Sequence, residues 1–472
     1  MLGKESKMKQ HHFLIISIPL QSHINPLLQL AKNLSRGGAN VTFATTISGL
    51  RQIQDRLPHL QNLSYVSFSD GHDEEKPFAG GDFSRYLIDL RRVGSQDVVK
   101  LLHKFAGEGQ PATCLVYSFL LPWVAAVARE MGLASAFLAI QSAATFAIID
   151  KFFNRDNGIY VRGIYCNGID SSFSCHIQSL PLFSFDDMPA FLLPDHPFSS
   201  IMIPMLREHV EELEKGPESF VFLNTFEELE QEAIKEFDQK YNVFAVGPLI
   251  PSAFSDGNDS TDKSFGGDLC SKTGETNYFE WLDSKQERSV VFVAFGSIVV
   301  LNKEQQDEIL NGLVESGRPF LCVIRPSKNQ EEEEMLKIQN DGDHGLIVPW
   351  CSQIEVLSHG SIGCFVTHCG WNSVSESIVS GVPMVGFPQT ADQFTNAKLV
   401  EEVWAIGVKT RTKQGNVVER GELKECLDVV MGDDVRGKEI RKNACKLKDL
   451  AVTAVKNIGG STYKNFKRIL EH

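Results

Sequence analysis

Residues 362–388, IGCFVTHCGWNSVSESIVSGVPMVGFP, decide how this chain folds. The apolar run ending at His368 predicts a buried strand, Cys369-Gly370-Trp371-Asn372-Ser373 turns into a helix, and VPMVGFP (382–388) predicts the next strand. Strand, tight turn, helix and strand form the repeating unit of a parallel sheet. Gly370 permits a close approach to the backbone, and the open N–H groups of a helix start favour an anion. The turn therefore reads as a seat for phosphate.

The same pattern extends in both directions. After residue 289, strands are expected at 289–297, 319–324, 345–350, 362–368, 382–388 and 406–410. Before residue 248 they are expected at 13–18, 41–45, 63–68, 113–118, 134–140, 219–224 and 243–247, most of them separated by amphipathic helical stretches. Between the two series lie Pro248, Pro251 and SDGNDSTDKSFGGD (255–268), too poor in apolar residues to pack and read as a linker. The chain divides into an N-terminal α/β domain (1–248), a linker region (249–288), a second α/β domain (289–458) and a final helical tail (459–472). Ligands of such sheets bind beyond the carboxyl ends of the strands, and the cleft between two facing domains becomes the expected site.

Composition narrows the function. The chain has 472 residues with 42% hydrophobic and 22% charged, an ordinary globular balance with room for large cores. A net charge of −14 repels nucleic acid and anionic lipid, so no nucleic-acid partner is expected. No stretch reaches the roughly 18 apolar residues of a membrane span, and the apolar run 13–20 reads as a strand, not a signal peptide. The ten cysteines contain no C-x-x-C pair and read as reduced thiols, which suits a cytoplasmic protein. The acidic run Glu331 to Glu334 reads as solvated surface, and Asp341-Gly342-Asp343, a D-x-D of the kind that can hold a metal, as a polar turn; no metal and no cofactor are expected.

The block around the phosphate seat supplies the other parts of a ligand site. His368 can donate to a phosphate oxygen, Asn372 and Ser373 add neutral donors, and Glu376 can accept from a ribose hydroxyl. Trp350, at a strand end, offers a flat face for a nucleobase, and Asp392-Gln393, beyond another strand, suit sugar hydroxyls. Each has a structural reading taken alone: core tryptophan, satisfied histidine, surface pair. In this order they make a nucleoside-diphosphate-sugar site.

From Trp350 to Gln393, WCSQIEVLSHGSIGCFVTHCGWNSVSESIVSGVPMVGFPQTADQ, the chain resembles across its full length the signature box of plant secondary-metabolite UDP-glycosyltransferases of glycosyltransferase family 1. The resemblance implies the GT-B architecture, two Rossmann-like doubly wound domains facing across a cleft, with KNFKRILEH (464–472) as a last helix crossing back to the first domain. It implies that Trp350 stacks on uracil beside Cys351, and that Gln353 and Glu376 hold the ribose. It places Ser297, His368, Gly370, Asn372 and Ser373 at the phosphates, and Trp371, Asp392 and Gln393 at the sugar, with Gln393 pointing to glucose. Thr390 departs from the family, which commonly has Trp there.

PLQSHINPLLQL (19–30) resembles the family's catalytic loop and makes His23 the general base, since imidazole accepts a proton at neutral pH. Ser22 stands there in place of the usual Gly. Most relatives pair this histidine with an Asp after the fourth strand, whereas here Leu115-Val116-Tyr117-Ser118-Phe119 puts Ser118 in that position. A serine can set the imidazole tautomer but brings no charge, so His23 is expected to be a weaker base than the family norm. Ionised carboxylates and acidic phenols tolerate that loss best. Ser118 and LLPW (120–123) are similar to the subgroup with anthocyanin 5-O-glucosyltransferases and enzymes forming glucose esters of crocetin, auxin or abscisic acid.

Gln21, Phe119, Gln141, Ser142, Phe191 and the 183–193 segment are expected to line the acceptor pocket. The expected activity is inverting transfer of glucose from UDP-glucose to a hydroxyl or carboxylate of a small plant metabolite, by a monomer. The alternative is a UDP-sugar-binding protein with weak or no transferase activity. A dinucleotide oxidoreductase is disfavoured because no G-x-G-x-x-G follows the strand ends at 18 and 297.

Overall fold

The computed structural model describes residues 11–74, 82–154, 174–193, 196–216, 218–237, 239–265, 278–297, 299–324, 344–412, 417–456 and 459–471. The acidic run 331–334, the 341–343 motif, Cys166, Cys270, residues 266–277 and His472 lie outside them. The first half contains β1 (His12–Ile16), β2 (Asn40–Thr46), β3 (Leu63–Phe68), β4 (Cys114–Ser118), β5 (Ala134–Ala139), the short pair β6 (Ser174–Cys175) and β7 (Phe183–Ser184), β8 (Ser219–Leu223) and β9 (Asn242–Ala245). The second half contains β10 (Val290–Ala294), β11 (Phe320–Val323), β12 (Gly345–Val348), β13 (Ile362–Thr367), β14 (Met384–Gly386) and β15 (Gly407–Lys409).

Two parallel sheets result, ordered β3-β2-β1-β4-β5-β8-β9 and β12-β11-β10-β13-β14-β15. Both are doubly wound, with strand order reversing between the first and fourth strands of each domain. Their central strands are apolar on both faces because helices cover both sides, and every residue of β1, β4, β10 and β13 is buried. Val291, Val293 and Phe295 point into a core confined to the second domain. Phe292, Ala294 and Phe365 join the core that also fills the first domain.

All thirteen expected strands form, each within a few residues of its expected ends. The run 289–297 stops pairing at Ala294 because Phe295-Gly296-Ser297 leave the sheet, with Gly296 at φ 70°. The antiparallel β6–β7 pair had no signal in the sequence, being two residues per strand.

Within the expected linker region, residues 251–265 are held against the first domain. This stretch packs on helix Gln21–Arg36 through charge, not through apolar area. Lys32 Nζ, fully buried, donates to Asp262 Oδ1 at 2.5 Å and to the Ser264 carbonyl at 3.1 Å. Arg36 bonds Asp259 and Asp262, each at 3.0 Å. Phe265 is buried at the end of the stretch. The final helix, Ser461–Glu471, lies on β9: Thr462 Oγ1 donates to the Gly247 carbonyl, and Asn465 Nδ2 to the Ala245 carbonyl at 3.1 Å. None of the helices among the described residues is long and apolar enough to cross a membrane.

The Lys32–Asp262 pair yields a test. Burial lowers the Lys32 pKa and Asp262 opposes that shift, so removing the carboxylate leaves a buried cation without its principal partner. Asp262→Ala is expected to cost about 3–5 kcal/mol in denaturant unfolding. Lys32→Met, which leaves Asp262 its Arg36 partner, is expected to cost much less. Equal losses would contradict this account.

Candidate functional site

The strand-order reversals put four strand ends around one cavity of about 1220 Å³. His23 and Ser118 lie just beyond β1 and at the end of β4; Ser297 and His368 lie just beyond β10 and β13. The volume exceeds that usual for one drug-sized ligand and suits two substrates held together.

His23 enters on the first turn of helix Gln21–Arg36 and is buried, yet it borders the cavity. Its Nδ1 lies 2.8 Å from Ser118 Oγ. In the tautomer with hydrogen on Nδ1, the ring donates to Ser118 and keeps the Nε2 lone pair for a ligand. Burial lowers its pKa to about 3, with no nearby carboxylate to oppose the shift. The ring is therefore neutral at physiological pH.

The turn expected to seat phosphate is packed around His368. An added Cβ at Gly296 would lie 2.6 Å from its Nε2, and one at Gly370 would lie 2.5 Å from the same atom. The two glycines thus sandwich the ring, which identifies Gly296 as a site residue that the sequence reading missed. Gly370 caps helix Trp371–Ser380 without a side-chain bond to its first N–H groups. Cys369, at φ 61°, makes the sharp entry into that helix.

Gln353 Nε2 donates to Ser373 Oγ at 3.0 Å and to Glu376 Oε2 at 2.9 Å, so these three are brought together on the cavity wall beside half-buried Trp350 and buried Cys351. Ser297 and Asn372 also line the cavity. Asn372 additionally donates to the Ser22 carbonyl at 3.3 Å across the domains.

At the sugar end, two side chains do more structural work than expected. Trp371 spends its Nε1–H on the Asn224 carbonyl at 2.7 Å, bridging the domains. Gln393 accepts at Oε1 from the N–H groups of Gln389 (2.8 Å) and Thr390 (2.9 Å), leaving its amide hydrogens for a ligand. Asp392 is buried, which raises its pKa to about 6 against an opposing bond from Asn396. Thr390 Oγ1 meets His196 Nε2 at 3.0 Å, so the position that lacks tryptophan is filled by a contact from the first domain.

Gln21, Phe119, Gln141 and Phe191 line the cavity on the first-domain side. Ser142 does not. Its hydroxyl accepts from Thr145 N at 3.2 Å, capping helix Ala143–Phe153, and donates to Asn396 Oδ1 at 3.0 Å. The 183–193 segment is likewise more clamp than lining: Asp187 pairs with Lys398 and Lys409, its carbonyl accepts from Thr395 Oγ1 at 2.6 Å, and Ala190 N donates to the Ala391 carbonyl at 2.7 Å. Among the described residues, no cluster of His, Cys, Asp and Glu is spaced to hold a metal ion.

Residues 261–452 match the family model described as UDP-glucoronosyl and UDP-glucosyl transferase. The chain is 47% identical to a phloretin 4'-O-glucosyltransferase of Malus domestica, with 98% of each chain covered. It is 43% identical to a chloroplastic crocetin glucosyltransferase of Gardenia jasminoides, again with 98% of each covered. A crystal structure from O. sativa in complex with UDP superposes with a TM-score of 0.84 at 31% identity, covering 97% of this chain and 99% of that one.

The glycine sandwich around His368 yields the second test. Gly370→Ala is expected to displace the ring and weaken UDP binding about tenfold or more, or about 1.4 kcal/mol, in calorimetry. Unchanged affinity in a folded variant would show that His368 does not need this packing.

Proposed function

Because the chain belongs to the UDP-glucoronosyl and UDP-glucosyl transferase family, as a UDP-glycosyltransferase of the plant small-metabolite type with the GT-B fold, we propose that it transfers glucose from UDP-glucose to a phenolic hydroxyl or carboxylate of a small plant metabolite, with inversion. The observation that carries this reading is the placement of His23–Ser118 and the His368 seat at opposed strand ends of one cavity.

The acceptor oxygen attacks the anomeric carbon from the first-domain side and UDP leaves toward the second. Alignment of the two reactants removes much of the entropic barrier. Charge gathering on the departing diphosphate meets the open N–H groups of helix Trp371–Ser380, His368, and the Ser297, Asn372 and Ser373 side chains. These donors act without a metal, so activity undiminished by EDTA is expected.

His23 Nε2 takes the acceptor proton where there is one to take, and Ser118 holds the ring in the tautomer that permits it. With burial lowering its pKa to about 3 and no carboxylate behind it, His23 is a reluctant base. An ionised carboxylate needs none, and an acidic phenol gives up its proton more readily than an alcohol. The names of the apple phloretin and gardenia crocetin relatives fit a phenol- or carboxylate-bearing acceptor, which the apolar wall of Phe119 and Phe191 can hold.

A screen of phenols, alcohols and carboxylic acids with UDP-glucose, with alkaline hydrolysis to separate esters from glycosides, tests the proposal. Transfer confined to aliphatic alcohols would contradict it. His23→Ala is expected to reduce phenol transfer by about 10² to 10⁴-fold while UDP affinity stays nearly constant. Ser118→Asp, which supplies the missing charge on the side of Nδ1 where Ser118 Oγ now bonds, is expected to raise the rate on alcohols most. On the acid side, His23 stays neutral well below pH 6, whereas Asp392 gains a proton there. The fall in kcat/KM for UDP-glucose is therefore expected near pH 6, and a limb surviving Asp392→Asn would contradict that assignment.

A further inference from the structure

We propose that Asn396 is a positioning residue for the donor sugar: locked by the Ser142 hydroxyl of the opposite domain, it aims the Asp392 carboxylate that grips glucose. The inference rests on the reading above that Asp392 receives the sugar.

The geometry is closed at every atom. Asn396 is fully buried on helix Gln393–Lys398, one turn beyond Asp392. Its Nδ2 donates to Asp392 Oδ2 at 2.9 Å and to the Cys369 carbonyl at 3.0 Å. The Cys369 carbonyl can only accept, so the orientation of the amide is fixed by chemistry. Its remaining atom, Oδ1, accepts from Ser142 Oγ at 3.0 Å.

Ser142 in turn is held at the start of helix Ala143–Phe153, where Glu230 accepts from Ala143 N (3.0 Å) and Ala144 N (3.1 Å). The Asn396 amide thus ties three things together: the sugar-side carboxylate, the left-handed Cys369 that opens the phosphate seat, and the first domain. The Ser142 bond comes from the first domain, so the apposition of the domains completes the set of partners that holds the amide against Asp392.

The effect on charge follows. Burial favours protonated Asp392, and the amide N–H favours the carboxylate, so losing Asn396 moves the acid limb upward. The other titratable groups at this corner are accounted for. Burial pushes the Cys369 thiol up to about 12, Lys398 and Lys409 are paired with Asp187, His196 bonds Thr390, and Glu230 is turned to the helix start.

The test compares Asn396→Ala, Ser142→Ala and Ser142→Thr, measuring UDP affinity by calorimetry and kcat and KM for UDP-glucose against pH. Asn396→Ala, which also frees the Cys369 carbonyl beside the phosphate seat, is expected to raise the UDP-glucose KM about tenfold and to weaken UDP binding by clearly less. It should also shift the acid limb upward by about one pH unit. Ser142→Ala should move both in the same direction by less, and Ser142→Thr, which keeps the hydroxyl, should restore them.

Parallel losses of UDP and UDP-glucose affinity, or an unmoved acid limb, would overturn the proposal. If Asn396→Ala does not fold, the Ser142 pair decides the matter through the same limb. A wild-type enzyme that binds UDP-glucose no differently from UDP at any pH would instead sink the reading of Asp392 itself.

Discussion

A parallel sheet that grows outward on both sides of its first strand must leave a crevice where its connections part, and this chain sets two such crevices mouth to mouth. That constraint settles where chemistry can happen. One crevice offers β1 and β4, hence His23 and Ser118; the other offers β10 and β13, hence Gly296, Ser297 and His368. Neither domain alone holds both the proposed base and the proposed phosphate seat. The reaction is a property of their apposition.

Apposition has to be held, and the seam shows how. Trp371, Asn372, Asn396, Thr395 and the Ala391 carbonyl, all within or just beyond the donor-side block, bond across to the first domain. The residues proposed to face the sugar are thus the same ones, or the near neighbours of the ones, that fasten the domains. Enclosure exacts a cost at His23, whose basicity falls with the water it loses, and the structure offers only a serine in compensation. Thr390 leaves a second gap, which His196 fills from the other side. Both departures are local, and neither disturbs the sheet ends on which the site stands.

Sequence alone made the fold legible because buried parallel strands are continuous apolar runs. All thirteen strands of the two parallel sheets were readable, while the two-residue β6 and β7 were too short to carry a period. In the site, residue type and motif were enough to pick out His23, His368 and Asp392, which the fold brings to one cavity, with Ser118 behind His23. It was illegible where meaning comes from a partner distant in the chain: Ser142 looked like pocket lining and is a cap bonded to Asn396, and Trp371 looked free for sugar but holds Asn224. The polar stretch at 251–265 seemed unable to pack because its partner, a buried Lys32 more than 200 residues away, leaves no trace in local composition. Asn396 did leave a hint, standing one helical turn beyond Asp392, the spacing at which side chains meet.

The central claim is a direct attack across the cavity, from the His23 side, on a sugar whose diphosphate sits at His368. The anomeric configuration of the product of a single turnover, read by NMR with α-linked UDP-glucose, measures it most directly. A purely β-linked glucoside or glucose ester is the predicted result. An α-linked product would mean that the acceptor and the leaving group share a face, and the opposed-crevice account would be wrong.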